Sequence, residues 1–135
     1  MDILKNKSLA LLIIRLVFGV RLIFGTIDNV ISWDRMLEFR DFLDGQGFPL
    51  PLICAIVSVY LQFLAGICWI FGFQTKVASL LMILNFLVAI IGVHLLHGDS
   101  YINMAPAIHL LAVAFLLFTH GAGRYALTGR EIKAS

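Results

Sequence analysis

The stretch from Ser8 to Ile31 constrains this chain most, because it is long and apolar and yet contains charged residues. A helix needs about 20 predominantly apolar residues to cross the hydrocarbon core of a bilayer, and this stretch exceeds that length. Within it lie Arg15, Arg21 and Asp28. One charge at the centre of a spanning helix costs about 2.5–3.5 kcal/mol on insertion scales. We therefore expect neighbouring helices to shield these side chains, so that the charges mark a polar interior between helices.

The composition indicates that the chain is apolar enough to form such neighbouring helices. The chain is 61% hydrophobic and only 13% charged, whereas a soluble domain has about 25% charged residues. The net charge of +2 gives no reason to expect nucleic-acid binding. We predict an all-α integral membrane protein whose partner is the lipid bilayer. Its single domain, residues 1–135, would be a four-helix transmembrane bundle with spans at about 8–31, 52–73, 76–97 and 104–121.

The connections between the spans differ in length. Spans two and three meet at Gly72–Lys76, a turn so short that the two helices must be antiparallel neighbours. In span four, Pro106 is expected in the first turn, where its missing N–H loses no helical bond. Between spans one and two, apolar residues from Trp33 to Leu43 recur at helical spacing among charges. This pattern predicts a short amphipathic helix on the membrane surface or folded over the bundle.

Lysine and arginine outside the spans predict the orientation. Cytoplasmic loops of membrane proteins carry an excess of these residues. The side that contains both termini would carry Lys5, Lys7, Lys76, Arg124, Arg130 and Lys133, whereas the opposite side has only Arg35 and Arg40. We expect a multi-pass membrane protein with both termini in the cytoplasm.

Polar residues inside apolar spans are candidate site residues, since ionisable groups in membrane helices usually line pathways or pockets. The predicted ligand-binding set in the bundle interior is Arg15, Arg21, Asp28, Gln62, Asn85, His94 and His109. Imidazole and carboxylate groups can relay protons or bind metals, so His94, His97 and His109 are metal candidates, although their spacing is not a metal-binding signature. Two structural interpretations remain open: Gln62 bonded to an arginine as helix packing, and histidines that serve only at the interface.

The order of landmarks along the chain resembles the DoxX family of small four-helix membrane proteins. The resemblance covers nearly the whole chain. It rests on Arg15, Gly19 and Gly25, on Gly47-Phe48-Pro49-Leu50-Pro51, on Gly66, Gly72, Thr75, Lys76 and Ala78, on Ala89 and His94, and on Gly121-Ala122-Gly123-Arg124-Tyr125. The chain departs from the family pattern at Asp28, Gln62 and His109, where the family often has lysine, glutamate and an acidic residue.

The resemblance implies a loosely defined function, because some relatives are membrane subunits of thiosulfate–quinone oxidoreductases and others accompany oxidative-stress proteins. The leading hypothesis is a subunit or accessory protein of such a system in the bacterial inner membrane. It would bind a quinone-like or other amphipathic ligand in the bundle and contact a soluble or membrane oxidoreductase. Catalysis by the chain alone is not expected, since no nucleophile or cofactor-attachment motif is present. The alternatives are a carrier of small solutes or metal ions and a purely structural subunit. Two polar stripes on span one predict a homo-oligomer.

Overall fold

The computed structural model describes residues 6–127 of the chain, and the elements in this part are helical. The α-helices are α1 (Lys7–Ile31), α2 (Trp33–Gly45), α3 (Pro51–Phe71), α4 (Thr75–Ala89) and α5 (Tyr101–His120). A π-helical turn, Ile90–His94, and a 3-10 turn, Leu95–His97, extend α4. By length and apolar composition, four helical segments could each cross a membrane: Lys7–Ile31, Pro51–Phe71, Thr75–His97 and Tyr101–His120. The predicted all-α architecture is confirmed, and the predicted spans correspond to four helices that are long and apolar enough to cross a membrane.

The four spans form a bundle in which the packing of α1 against α3 is the most extensive, followed by that of α4 against α5 and then that of α3 against α4. The spans have two ends. We call the end with Lys7, the α3–α4 turn and His120 the terminus end, and the end with α2 and residues 98–100 the α2 end. As predicted, the tight turn after Phe71 makes α3 and α4 sequential neighbours.

Gly19 and Gly66 allow α1 and α3 to approach each other closely. A Cβ atom added to Gly19 would lie 2.9 Å from the carbonyl oxygen of Gly66, and one added to Gly66 would lie 2.8 Å from the carbonyl oxygen of Gly19. Small residues allow membrane helices to approach closely, so that packing contacts replace a hydrophobic driving force that lipid cannot supply. The backbones of α1 and α3 therefore touch at this crossing.

The interior of the bundle toward the terminus end is centred on Trp69, whose side chain is fully buried and whose indole N–H donates to Ser79 Oγ at 3.0 Å. The outer surfaces of the spans carry many exposed apolar residues, with Phe24 and Ile102 among the most exposed. Such a surface suits a lipid environment. The buried apolar core consists of Leu11, Leu22, Ala65, Trp69, Ala78, Met82, Ile83, Phe86, Leu110, Ala114 and Leu117.

The last span begins earlier than the sequence predicted. Ser100 is its N-cap and accepts a hydrogen bond of 3.4 Å from the backbone N–H of Asn103, so the helix begins at Tyr101. Pro106 consequently lies inside the helix and not in its first turn. Since proline has no N–H, it cannot donate the helical bond to the carbonyl of Ile102. The predicted position of Pro106 in the first turn was wrong, because the N-cap at Ser100 determines where the helix begins.

The connection between α1 and α3 is helical, but the amphipathic character predicted for it is not supported. Met36 and Leu43 are buried against α3, whereas Trp33 and Phe42 are exposed. The apolar residues are thus spread over both the buried and the exposed surfaces of α2. The buried residues join a second core, at the α2 end, with Ala55 and Val59 of α3.

Candidate functional site

A cavity of about 260 Å³ lies among all four spans, on the α2 side of the Trp69 core. Its wall has an apolar part and a polar part. The apolar and small residues are Leu22, Gly25, Phe86, Ala89, Pro106, Ala107 and Leu110, and the polar residues are Arg21, Gln62, His94 and Asn103. An apolar wall with a few convergent polar groups is typical of small-molecule sites. Three of the residues predicted from the sequence, Arg21, Gln62 and His94, therefore come together here.

Arg21 is the cationic group of this cavity. It lies in the middle of α1, and its guanidinium extends along the helix toward Gly25, where a Cβ atom would lie 3.9 Å from Nη1. Within residues 6–127 its side chain has no hydrogen-bond or ion-pair partner. A guanidinium offers five donors and no acceptor. Arg21 can therefore donate to a carbonyl or anionic oxygen of a molecule in the cavity.

Gln62 connects the cavity to a polar chain between α3 and α4. Its Nε2 donates to Ser58 Oγ at 3.0 Å, and Ser58 Oγ donates to Asn85 Oδ1 at 2.8 Å. The predicted residue Asn85 thus fixes Ser58, which in turn orients the amide of Gln62, and Asn85 itself is not in the cavity wall. The interpretation of Gln62 as bonded to an arginine does not hold, because its hydrogen bond goes to Ser58.

His94 contributes an imidazole whose orientation is fixed from outside the cavity. Its Nδ1 lies 2.7 Å from Oδ2 of Asp99, and the other oxygen, Oδ1, accepts from Asn103 Nδ2 at 2.8 Å and from the Ser100 N–H at 2.9 Å. The hydrogen bonds from Asn103 and His94 lower the pKa of Asp99 from its ordinary value. Asp99 is therefore an anionic acceptor at neutral pH, and the ring can present only Nε2 to the cavity.

Asp99 was missed by the sequence reasoning, because the candidate site residues were all taken from inside the predicted spans. The signal that could have found it is the spacing: Asp99 follows His94 by five residues across a turn with Gly98, and Asn103 follows by four more. A carboxylate that orients a histidine from a loop is a common arrangement around functional imidazoles.

The backbone at His94 is irregular. His94 ends the π-helical turn that begins at Ile90, and such turns often occur at functional sites. The Phe48 ring, from the α2–α3 connection, packs directly on Gly92 in the middle of this turn, where a Cβ atom would lie 2.7 Å from Phe48 Cζ. The α2 end of the bundle is thereby linked to the segment that carries His94.

Arg15, unlike Arg21, has a structural role, because its side chain bonds to other parts of the chain. Its side chain is fully buried, Nη1 donates to the carbonyl oxygen of Trp69 at 3.0 Å, and Nη2 donates to the carbonyl oxygen of Tyr125. Gly72 leaves the necessary space, because a Cβ atom there would lie 2.6 Å from Nη1. Arg15 is held by neighbours, as expected for a charge in a span, but it lies at the terminus end and outside the cavity wall.

The remaining predicted residues are not part of the cavity wall. Asp28 is exposed near the end of α1, His97 is exposed in the 3-10 turn, and His109 is exposed on α5. Among residues 6–127, no three histidine, cysteine, aspartate or glutamate side chains come together as a metal site. The three metal candidates, His94, His97 and His109, therefore do not form one site.

Comparison with known proteins agrees with the resemblance found in the sequence. The DoxX family model matches residues 10–95, which include most of α1, all of α2 and α3, and most of the third span. The comparisons with curated proteins and with solved structures gave no match. The matched region contributes Arg21, Gln62 and His94 to the cavity, whereas Asp99 and Asn103 lie beyond it.

Proposed function

The chain belongs to the DoxX family of membrane proteins, and we propose that it binds the polar headgroup of a quinone-like or other amphipathic ligand in the cavity among its four spans. The observation that carries this proposal is the position of Arg21, a cation with no partner in residues 6–127, in the wall of the same cavity as the oriented imidazole of His94. These groups can hydrogen-bond a headgroup, while Leu22 and Phe86 contact its apolar parts.

The size of the cavity favours a headgroup over a whole lipid. Pockets that enclose drug-sized ligands have about 300–1,000 Å³, and this cavity has about 260 Å³. One substituted ring fits such a volume, and an alkyl tail would leave it between the spans. The exposed apolar surface of the spans offers that tail a lipid-like path.

We further propose that the protein serves as a subunit or accessory protein of a redox, oxidative-stress or sulfur-oxidation system, with an oxidoreductase as its partner. It would sit in the bacterial inner membrane with both termini in the cytoplasm. Lys7, Lys76 and Arg124 lie at the terminus end, and Arg35 and Arg40 lie on α2 at the other end, which supports this orientation. Lys5, Arg130 and Lys133, which contribute to the predicted bias, lie outside the described residues.

The alternative of a metal-ion carrier has less support than ligand binding. It needs several ligands around one point, and residues 6–127 provide no cluster of three. Metal analysis of the purified protein and of its His94→Ala variant tests it: stoichiometric metal in the wild type and loss of that metal in the variant would favour the carrier.

The test of the proposal is a binding measurement with a short-tailed quinone. We would titrate decylubiquinone, and separately its hydroquinone form kept reduced, into protein in lipid nanodiscs by isothermal calorimetry. Arg21→Leu should weaken binding at least about tenfold, since a charge-assisted hydrogen bond is lost. Asp28→Asn, a change on the same helix but outside the cavity wall, should leave the affinity within about twofold. Absent binding, or equal affinity of Arg21→Leu and the wild type, would contradict the proposal.

A further inference from the structure

The pairing of His94 with Asp99 determines which hydrogen-bonding groups the cavity can accept. Building on the proposed function, we propose that Asp99 is a positioning residue that fixes the tautomer of His94, so that the cavity prefers a headgroup with a hydroxyl, a phenol or hydroquinone, over one with only carbonyl oxygens. This preference would depend on which ring nitrogen of His94 carries the hydrogen.

The first step concerns the hydrogen between His94 and Asp99. A carboxylate has no hydrogen to donate, and Asp99 Oδ2 lies 2.7 Å from Nδ1. In a neutral imidazole, one nitrogen is a donor and the other an acceptor. Nδ1 must then be the donor, so Nε2 carries the lone pair and accepts.

The second step concerns the ligand. His94 and Arg21 are both in the cavity wall. Nε2 of neutral His94 accepts, whereas the Arg21 guanidinium only donates. A headgroup complementary to both must present a hydroxyl to His94 and an oxygen lone pair to Arg21. A hydroquinone provides both groups, whereas a quinone with two carbonyl oxygens would face the His94 lone pair with another lone pair.

The third step concerns how firmly Asp99 itself is oriented. Its Oδ1 accepts from two donors, Asn103 Nδ2 at 2.8 Å and the Ser100 N–H at 2.9 Å. In an Asp99→Asn variant, these two donors would hold the amide oxygen at the Oδ1 position. The amide NH₂ would then face His94, Nδ1 would become the acceptor, and Nε2 would carry the hydrogen. The substitution is nearly isosteric and reverses the hydrogen-bonding character of the ring toward the cavity.

The experiment compares two ligands that differ only at the hydroxyl. We would measure the affinities of 4-decylphenol and of its methyl ether, 4-decylanisole, for protein in nanodiscs at pH 8. The wild type should prefer the phenol by about tenfold, as expected for one additional hydrogen bond. Asp99→Asn should lose this preference and should bind decyl-1,4-benzoquinone more tightly than the wild type does. A merely steric effect of the added methyl group would persist in the variant.

The tautomer can also be observed without any ligand. In protein labelled with ¹⁵N-histidine, the nitrogen spectrum distinguishes ring nitrogens with and without hydrogen, and comparison with His94→Gln assigns the signals of His94. The wild type should show hydrogen on Nδ1, and Asp99→Asn should show it on Nε2. Loss of structure in the variant would be recognised by changes in the signals of the other histidines.

The outcomes separate this proposal from the one on which it rests. Equal affinity for phenol and methyl ether in the wild type, or an unchanged ratio in Asp99→Asn, would overturn the role of Asp99 while leaving ligand binding intact. Failure of all three ligands to bind would overturn both proposals. Hydrogen on Nε2 of His94 in the wild type would overturn the tautomer assignment directly.

Discussion

The guanidinium of Arg15 donates from Nη1 to the carbonyl oxygen of Trp69, 3.0 Å away in the last turn of α3. The last four carbonyls of a helix have no intrahelical donor, and in a membrane span an unsatisfied carbonyl is costly. Arg15 provides such a donor and also bonds the carbonyl of Tyr125. One buried cation therefore joins α1, the end of α3 and the segment after α5.

This position predicts that Arg15 supports stability and not ligand selection. Arg15→Leu removes two charge-assisted hydrogen bonds and leaves buried carbonyls unsatisfied, so it should lower the free energy of unfolding by about 3 kcal/mol. Arg21→Leu is the matched control, because Arg21 is exposed on the same helix, and it should change stability by less than about 0.5 kcal/mol. Unfolding in mixed micelles followed by circular dichroism measures both, and equal effects would contradict the assignment.

The crossing of α1 and α3 gives a second prediction. Gly66→Ala would place a Cβ atom 2.8 Å from the carbonyl oxygen of Gly19. The helices must then separate, at a cost of about 1–3 kcal/mol. Gly25→Ala is the control on α1, since its Cβ would have only ordinary contact, at 3.9 Å, with Arg21, and alanine favours the helix over glycine. Thermal unfolding should show a lower midpoint for Gly66→Ala alone; a similar fall for Gly25→Ala would contradict the close-crossing explanation.

The sequence predicted the spans well, because a helix that crosses a bilayer needs a long apolar run and such a run is visible in the sequence. The helix ends agree with the predicted limits to within about a turn, and Thr75–His97 differs by one residue at its start. The local exception is Pro106, where a polar cap at Ser100 moved the helix start upstream. Caps depend on single side chains, so they shift helix ends without changing the pattern of spans.

The site was predictable only in part. Polar residues in spans indicated Arg21, Gln62 and His94, which do meet in one cavity. The pattern could not distinguish them from Arg15, because the hydrogen bonds of Arg15 go to main-chain carbonyls, which every residue has. Asp99 was missed because its contact with His94 depends on the path of the backbone through irregular turns, which periodicity does not describe.

The lowered pKa of Asp99 predicts a dependence of stability on pH. Its hydrogen bonds with Asn103 and His94 favour the ionised form in the folded protein. A carboxyl group whose pKa falls on folding stabilises the protein above its unfolded-state pKa, and this contribution is lost as the pH falls through the lower folded-state value. The difference in unfolding midpoint between the wild type and Asp99→Ala should therefore have its full size at pH 6, above the ordinary value of 3.8, and shrink as the pH falls below that value toward pH 3. A difference that stays constant over this range would show that Asp99 does not act through its charge.

The contact between Phe48 and Gly92 gives the last prediction. Gly92→Ala would bring a Cβ atom to 2.7 Å from Phe48 Cζ, so the ring must move from the π-helical turn, at a cost of about 1–2 kcal/mol. Phe48→Leu shortens the side chain and should relieve the clash, so the double variant should be more stable than the sum of the single effects predicts, by at least about 0.5 kcal/mol. Hydrogen exchange should rise at residues 46–50 in Gly92→Ala and fall again in the double variant. Strictly additive effects on the free energy of unfolding would mean that the ring does not rest on this turn.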